Sequence, residues 1–298
     1  AVARSEAEAR AYCAAAAYPL VIKADGLALG KGVKICPTAA DAARAIDELM
    51  VDKAFGAAGA SVVIEEFLKG FEVSVLAFTD GKTVVPMISS QDHKRALDGD
   101  AGLNTGGMGT YAPNAKYTEK HAQTAMKTIF QPTVDAMARE GRPFKGVLYF
   151  GLMIDGDDIR VLEYNARFGD PETQVVLPLL ETDLLDIFDA VIDGRLDAVD
   201  IRWKDAAAVC VVAASKGYPE AYETGKEITF TGRFDDAVTV YHAGTARRAD
   251  GALVTAGGRV LGVTAVAPTV AEAREIAYKN LAKVRFEGLH ARTDIAVR

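Results

Sequence analysis

The sequence predicts an α+β protein built from two or three compact units. Its 298 residues are half hydrophobic and one quarter charged, which is enough apolar side chain for a large core in a folded, water-soluble chain. Short apolar runs rich in β-branched residues are joined by tight turns into antiparallel pairs, and capped helical stretches interrupt them. Beyond Trp203 the pattern changes to short strands closed by one helix. We place a boundary near Arg202 and expect units at 1–70, 71–202 and 203–298.

Ser5 and Glu8 have capping-box spacing before an Ala-rich run, so a helix is expected over about Glu6 to Ala17, ending before Pro19. Leu20-Val21-Ile22 is a strand leading into Lys23. Gly26, Gly30 and Gly32 then break the backbone before Val33-Lys34-Ile35-Cys36 resumes it, which makes a hairpin with a glycine-rich tip. Thr38 and Asp41 open a second helix that runs to about Met50. Ser61 to Glu66 and Glu72 to Phe78 are strands, and Asp80-Gly81 turns the chain into Thr83 to Ile88.

The polar, glycine-rich stretch from Ser89 to Asn114 is expected to be a long loop, and such a loop in a compact protein points to function. A helix follows over about Glu119 to Arg139, kinked by Pro132. Gly146 to Ile154 and Ile159 to Tyr164 flank the turn Asp155-Gly156-Asp157, so the second strand delivers Asn165-Ala166-Arg167 at its end. The last part holds strands at Ala207 to Ala214, Ile228 to Phe230, Val238 to Ala243 and Arg259 to Ala267, then a helix from about Val270 to Phe286.

A net charge of −7 and a pI near 5.3 argue against a nucleic-acid partner, although a basic pocket for phosphates fits inside an acidic protein. Cys13, Cys36 and Cys210 are few, odd in number and widely spaced, so they build neither a disulfide framework nor a zinc site. A reducing cytoplasm suits them. The apolar stretches are too short for a membrane span, and Arg4, Glu6, Glu8 and Arg10 rule out a secretory leader. A cytoplasmic monomer with no membrane partner is expected.

The tip from Ala24 to Gly32 invites a phosphate-binding reading, because glycines let backbone N–H groups close on anionic oxygens. It is not a Walker loop, since only three residues separate Gly26 from Gly30 and Gly32 stands where Ser or Thr would hold magnesium. It is not a dinucleotide fingerprint either, because a strand follows it. A flexible hairpin explains the loop equally well. Lys23 shifts the balance, as a cation at the end of an apolar strand needs an anion unless it snorkels to solvent.

Ile64-Glu65-Glu66-Phe67-Leu68, followed by Gly70 and Glu72, resembles a strand running into a hinge. Such a backbone can hydrogen-bond an adenine edge, and Glu72 can grip a ribose. Glu163, Asn165 and Arg167 alternate on an extended segment and so share one face. A carboxylate and an amide oxygen are hard ligands for magnesium, and the neighbouring arginine can hold a phosphoryl group. A surface salt bridge between Glu163 and Arg167 is the plainer alternative. His93 is more readily a structural hydrogen-bonding histidine than a general base.

Five blocks together resemble the glycinamide ribonucleotide synthetases. They are Val21 to Ala28, Gly30 to Val33, Ser90-Gln91-Asp92-His93-Lys94-Arg95, Asn104-Thr105-Gly106-Gly107-Met108-Gly109, and Asn165-Ala166-Arg167-Phe168-Gly169-Asp170-Pro171-Glu172-Thr173-Gln174. His242-Ala243-Gly244-Thr245 and Gly257-Gly258-Arg259-Val260-Leu261 extend the resemblance into the last part of the chain. The family resemblance implies an ATP-grasp fold, two α+β lobes clamping ATP, followed by a small mixed C-terminal domain.

It also implies ATP-dependent ligation of glycine to 5-phosphoribosylamine through glycyl phosphate, with Mg2+ or Mn2+ as cofactor and ATP as co-substrate. Lys23, Gly26, Gly30, Lys31, Gly32, Glu65, Glu66, Phe67, Leu68 and Glu72 would then bind ATP, and Glu163 and Asn165 the metal. Asp92, Lys94, Asn104, Thr105, Gly106, Asp170, Pro171, Glu172 and Thr173 would contact substrates, with Asp92 gripping the glycine ammonium. Arg167, Lys23 and Asp92 would carry catalysis. Family members begin with a further domain of roughly 100 residues, and the resemblance implies that this chain starts after it. Two rival readings are a nucleotide-binding fragment inactive without that domain, and another ATP-grasp carboxylate–amine ligase.

Overall fold

The computed structural model describes residues 1–28 and 32–297, and the chain divides into two compact units, Ala1–Lys69 and Gly70–Arg298. In the first unit a four-stranded sheet runs in the order Val2–Ala3, Val62–Glu66, Leu20–Ala24, Val33–Cys36, with the two hairpin strands paired Lys23 to Val33. Leu20 and Ile22 alternate inward and meet Ile64, Ala42, Ile46 and Leu49. This alternation leaves Lys23 half-exposed on the other face.

Helix Glu6–Ala15 starts where Ser5 accepts the Glu8 N–H, while the Glu8 carboxylate accepts from Arg4 and not from Ser5. It stops two residues short of Ala17 because the Ala16 N–H folds back to Cys13 O. Thr38 and Asp41 form the full capping box of helix Ala39–Ile46, an arrangement that stabilises a helix start by about 1 kcal/mol. A wider π turn, Asp47–Val51, carries that helix past Met50.

The second unit holds two larger sheets. One is antiparallel in the order Asp158–Asn165, Gly146–Asp155, Phe71–Thr79, Val84–Pro86. The other runs Val238–His242, Arg259–Ala267, Ala207–Ser215, Gly109–Ala112, Gln91–Asp92, and Leu289–His290 also pairs with Ala207–Ser215. Ala207–Ser215 is buried along its whole length because it is covered on both faces. Val209, Val211 and Ala213 pack with Ala273 and Ala277 of helix Val270–Leu281, while Ala208 and Cys210 join Leu76, Phe78, Val175 and Leu179.

The division expected near Arg202 therefore falls inside the second unit, where a strand from beyond it pairs with Gly109–Ala112 from before it. The stretch from Ser89 to Asn114 differs from the expected loop. It contains four short strands, Gln91–Asp92, Arg95–Leu97, Ala101–Asn104 and Gly109–Ala112, and the middle two form a hairpin. Its polar composition hid them: three of the four pair only within the stretch itself, and Gly109–Ala112 also pairs with Ala207–Ser215 far away in sequence.

The strand expected at Thr83 to Ile88 shortens to Val84–Pro86, beyond which the Met87 N–H still donates to Leu76 O at 2.7 Å. The long helix is present as Glu119–Ala125 and Gln131–Arg139 with a π turn, Met126–Phe130, between them. That turn lies directly ahead of Pro132, which lacks the N–H a regular turn would use. The last helix ends at Leu281, and Val284–Arg285 forms a short strand where helix was expected. Among the described residues no helix is long and apolar enough to cross a membrane.

Candidate active site

Strand ends and turns of the second unit bring Glu72, Asp92, Lys94, Glu163 and Glu172 into one charged cluster. Glu72 sits at the start of Phe71–Thr79, opposite Met153, and Glu163 lies on Asp158–Asn165, opposite Gly151. The Lys94 ammonium reaches both, at 2.9 Å from Glu72 Oε2 and 3.9 Å from Glu163 Oε1. Burial works against the charge on Lys94, but Glu72 and Glu163 outweigh it and hold its pKa above the ordinary lysine range.

Asp92, at the end of Gln91–Asp92, has the opposite problem. Its Oδ1 is buried without a hydrogen-bond partner, and Gly107 and Pro171 press on it: a Cβ at Gly107 would lie 2.6 Å from Asp92 Oδ1 and 2.4 Å from Pro171 Cδ. Burial first, then the negative Glu172, pushes the Asp92 carboxyl well above the usual carboxylate range. Glu172 is itself buried but satisfied, accepting from Tyr149 at 2.9 Å and Ser74 at 3.2 Å, while those two hydroxyls lie 2.7 Å apart. Tyr149 is driven well above the ordinary phenol range, by burial and then by Glu172.

The turn after Lys94 is tied down by its own groups. Thr105 donates its N–H and its hydroxyl to Lys94 O at 2.7 and 2.8 Å, and accepts the Gly107 N–H at 2.9 Å. Asn104 ends Ala101–Asn104, exposed and opposite Arg95. Gly106 donates to the Tyr218 hydroxyl at 2.9 Å, and its carbonyl accepts from Arg259 Nη1 at 2.6 Å. The same Arg259 nitrogen reaches Asp170 O at 2.9 Å and Asp170 Oδ1 at 3.0 Å. Thr173 closes its turn by donating to Gly169 O.

Arg167 is exposed, donating to Phe168 O at 2.8 Å and to Asn165 Oδ1 at 3.4 Å. Glu163 and Asn165 stand two residues apart on one strand and so offer a carboxylate and an amide oxygen from the same face. That hard-oxygen pair fits Mg2+, which keeps most of its shell for water and phosphate oxygens and takes one or two protein carboxylates.

In the first unit, Lys23 Nζ lies 2.6 Å from Glu65 Oε2, so the structure provides a carboxylate as the anion that the sequence demanded. Glu66 ends its strand opposite Leu20, and Phe67 and Leu68 follow it. The Gly26 N–H, reserved by the loop reading for phosphate, donates to Ala58 O at 3.0 Å, and a Cβ at Gly26 would come within 2.5 Å of Ala58 Cα. Gly32 packs against Ala24 and Ala28. Gly30 and Lys31 lie outside the described residues.

Sequence reasoning missed Ser74, Tyr149 and Arg259. The first two are polar groups inside apolar strands, a signal that a buried partner exists, and Arg259 is the charged residue that opens an apolar strand after two glycines. His93 is structural: burial lowers its pKa, and its ring bridges Gly109 O and the Ala296 N–H. A separate groove of about 670 Å³, lined by Pro86, Glu119, Met126, Lys127, Pro132 and Asp135, contains none of these residues.

The architecture is that of the ATP-grasp proteins. The biotin carboxylase domain of Hydrogenobacter thermophilus 2-oxoglutarate carboxylase shares this fold, with a TM-score of 0.73 at 15% identity over 97% of this chain and 62% of that one. The match to phosphoribosylamine–glycine ligase from Thermotoga maritima is closer, with a TM-score of 0.89 at 38% identity over 99% of this chain and 73% of that one.

Residues 1–173 match the model of the phosphoribosylglycinamide synthetase ATP-grasp (A) domain, and residues 208–298 that of the C domain of the same synthetase. The chain belongs to the phosphoribosylglycinamide synthetase family, ATP-using C–N ligases that join glycine to phosphoribosylamine in purine biosynthesis. It is 48% identical to the phosphoribosylamine–glycine ligase of Halalkalibacterium halodurans over 97% of its own length and 67% of that relative, so it spans about two thirds of it.

Proposed function

We propose that this chain carries the amino-acid and phosphoryl chemistry of glycine ligation to 5-phosphoribosylamine, centred on the Asp92–Lys94 cluster. The observation that carries this reading is the buried, unpartnered Asp92 Oδ1. A carboxylate in that position is destabilised until a cation donor meets it, and the ammonium group of glycine is such a donor. Lys94, already poised between carboxylates, is a fixed positive charge for the acyl phosphate or the sugar phosphate.

In the reaction, a carboxylate oxygen of glycine attacks the γ-phosphorus of ATP, ADP leaves, and glycyl phosphate forms. The amine of phosphoribosylamine then attacks the glycyl carbonyl carbon, phosphate leaves, and the amine gives up a proton to solvent. No protein nucleophile is needed, so the protein contributes alignment and charge stabilisation. Arg167 would fork onto phosphoryl oxygens in place of its present bonds to Phe168 and Asn165. Glu163 and Asn165 would hold Mg2+ or Mn2+, which would neutralise phosphate charge.

Asn104, Thr105, Gly106, Asp170, Pro171, Glu172 and Thr173 would shape the substrate side. Within the first unit, Lys23, Gly26, Gly30, Lys31, Gly32, Glu65, Glu66, Phe67 and Leu68 would serve the nucleotide.

The test is ADP release that requires both glycine and phosphoribosylamine, measured with this chain and with a full-length ligase containing it. Glu163→Gln keeps the shape but removes the carboxylate charge, and should lower turnover by at least about tenfold and weaken the response to EDTA. Unchanged turnover in Glu163→Gln would remove that strand from the mechanism.

A further inference from the structure

The hairpin that carries Lys94 is gripped by a segment far from it in sequence. Residues 290–296 begin at the end of strand Leu289–His290 and make a row of bonds to residues 93–100. His290 Nε2 donates to Ala96 O at 2.8 Å, and Arg292 Nη1 donates to Arg95 O at 3.1 Å and to Asp100 Oδ1 at 3.0 Å. Thr293 gives its N–H and its hydroxyl to the two oxygens of Asp98, at 2.8 and 2.5 Å. Asp294 Oδ2 accepts the Gly99 N–H at 2.8 Å, and the Ala296 N–H donates to His93 Nε2 at 3.4 Å.

Arg292 is the bulkiest fully buried side chain among the described residues, only 1% exposed. A buried guanidinium is tolerated only when its donors are met. Here Nε and Nη2 fork onto Asp294 at 2.7 and 2.8 Å while Nη1 takes the hairpin. The segment is itself anchored to helix Val270–Leu281. Arg274 donates to Ile295 O at 2.8 Å and Thr293 O at 2.7 Å, and the Tyr278 hydroxyl donates to Arg292 O at 2.8 Å and accepts the Ile295 N–H at 3.0 Å.

We propose that residues 290–296 act as a positioning brace for the amino-acid site, with Arg292 holding the Arg95 carbonyl beside Lys94, Thr293 holding the Asp98 side chain further along the same hairpin and Ala296 holding the His93 ring; this rests on the role given above to Asp92 and Lys94. His93 and Arg95, the two neighbours of Lys94, are each held by the brace, while Thr105 holds the Lys94 carbonyl. None of the brace residues named touches the carboxylate cluster. They act through the backbone, where a displacement of about 1 Å is enough to cost a large factor in rate. The brace also explains why the C domain belongs to the chemistry: its last residues set the geometry of a hairpin encoded almost two hundred positions earlier, as the sequence separation of 194 between His290 and Ala96 records.

The experiment compares Thr293→Val, Arg292→Lys and Arg292→Met in a full-length ligase, measuring KM for glycine, ATP affinity by calorimetry and the melting temperature. Glycine KM should rise roughly tenfold in Thr293→Val and more in the arginine variants, with ATP affinity within about twofold. Arg292→Lys should recover less than its charge would suggest, because the fork is lost. Thr293→Val keeps the proposal testable if Arg292→Met fails to fold.

A lower melting temperature with glycine KM unchanged in Thr293→Val and Arg292→Lys would overturn it, leaving these residues structural. Asp92→Asn is measured alongside. If it too leaves glycine KM unchanged, the site reading itself is what failed; if it raises KM while the brace variants do not, the brace alone is wrong.

Discussion

Asp92 shows how one side chain can weaken a fold in the service of binding. Its carboxyl is raised well above the usual range by burial and by Glu172, so the folded protein holds that proton more tightly than the unfolded chain, whose Asp titrates near about 3.9. The stabilising effect of the proton is present in full below that unfolded value and is lost as pH rises through the raised folded value. At neutral pH the raised carboxyl therefore costs the folded protein stability relative to a side chain that does not titrate. Asp92→Asn, which cannot ionise, should melt higher than the parent at pH 8, with the difference shrinking as pH falls to 5, while glycine binding is lost. Melting curves at four pH values check this. A variant that melts lower than the parent at pH 8 would mean that Asp92 is already paired.

Between strands Gln91–Asp92 and Gly109–Ala112 the chain passes through Gly107, where the backbone has φ +111°, a conformation that side-chain-bearing residues rarely adopt. The site turn exists because glycine permits both that angle and the close approach to Asp92 and Pro171. Gly107→Ala should destabilise the protein by about 1–3 kcal/mol and raise glycine KM, since the turn can relieve the clash only by moving away from Asp92. Urea unfolding and steady-state kinetics measure both effects. Stability within about 0.5 kcal/mol of the parent would show that the turn accommodates a Cβ.

In the second unit as a whole, the sheet containing Ala207–Ser215 draws strands from before and after Arg202 into one hydrogen-bonded ladder. Removing everything after Arg202 would expose the edge of Gly109–Ala112 and uncover Leu76, Phe78, Val175 and Val176, which pack with Ala208 and Cys210. Such a truncated chain should be insoluble or molten, judged by size-exclusion chromatography and near-ultraviolet circular dichroism. A monodisperse product with native near-ultraviolet signal would show that residues 1–202 carry their own complete core.

Local signals determined a good deal. Ser5, Thr38 and the Asp155-Gly156 turn set their elements because caps and tight turns are chosen by side chains a few residues apart, and the alternation of Leu20 and Ile22 chose the buried face of their strand. The motif from Asn165 to Gln174, together with the blocks around Lys23, Asp92 and Asn104, was enough to identify the family, since ligand chemistry constrains residue type at close spacing. The sequence by itself did not reveal that Ser89 to Asn114 holds four strands, that Lys23 has a carboxylate at 2.6 Å, or that Lys94 stands between Glu72 and Glu163. Nor did it place Arg259 on Asp170, or Arg292 beneath the Lys94 hairpin. These contacts join residues tens to hundreds of positions apart, and only the pairing of distant strands determines which charges share a low-dielectric space and how strongly each is felt there.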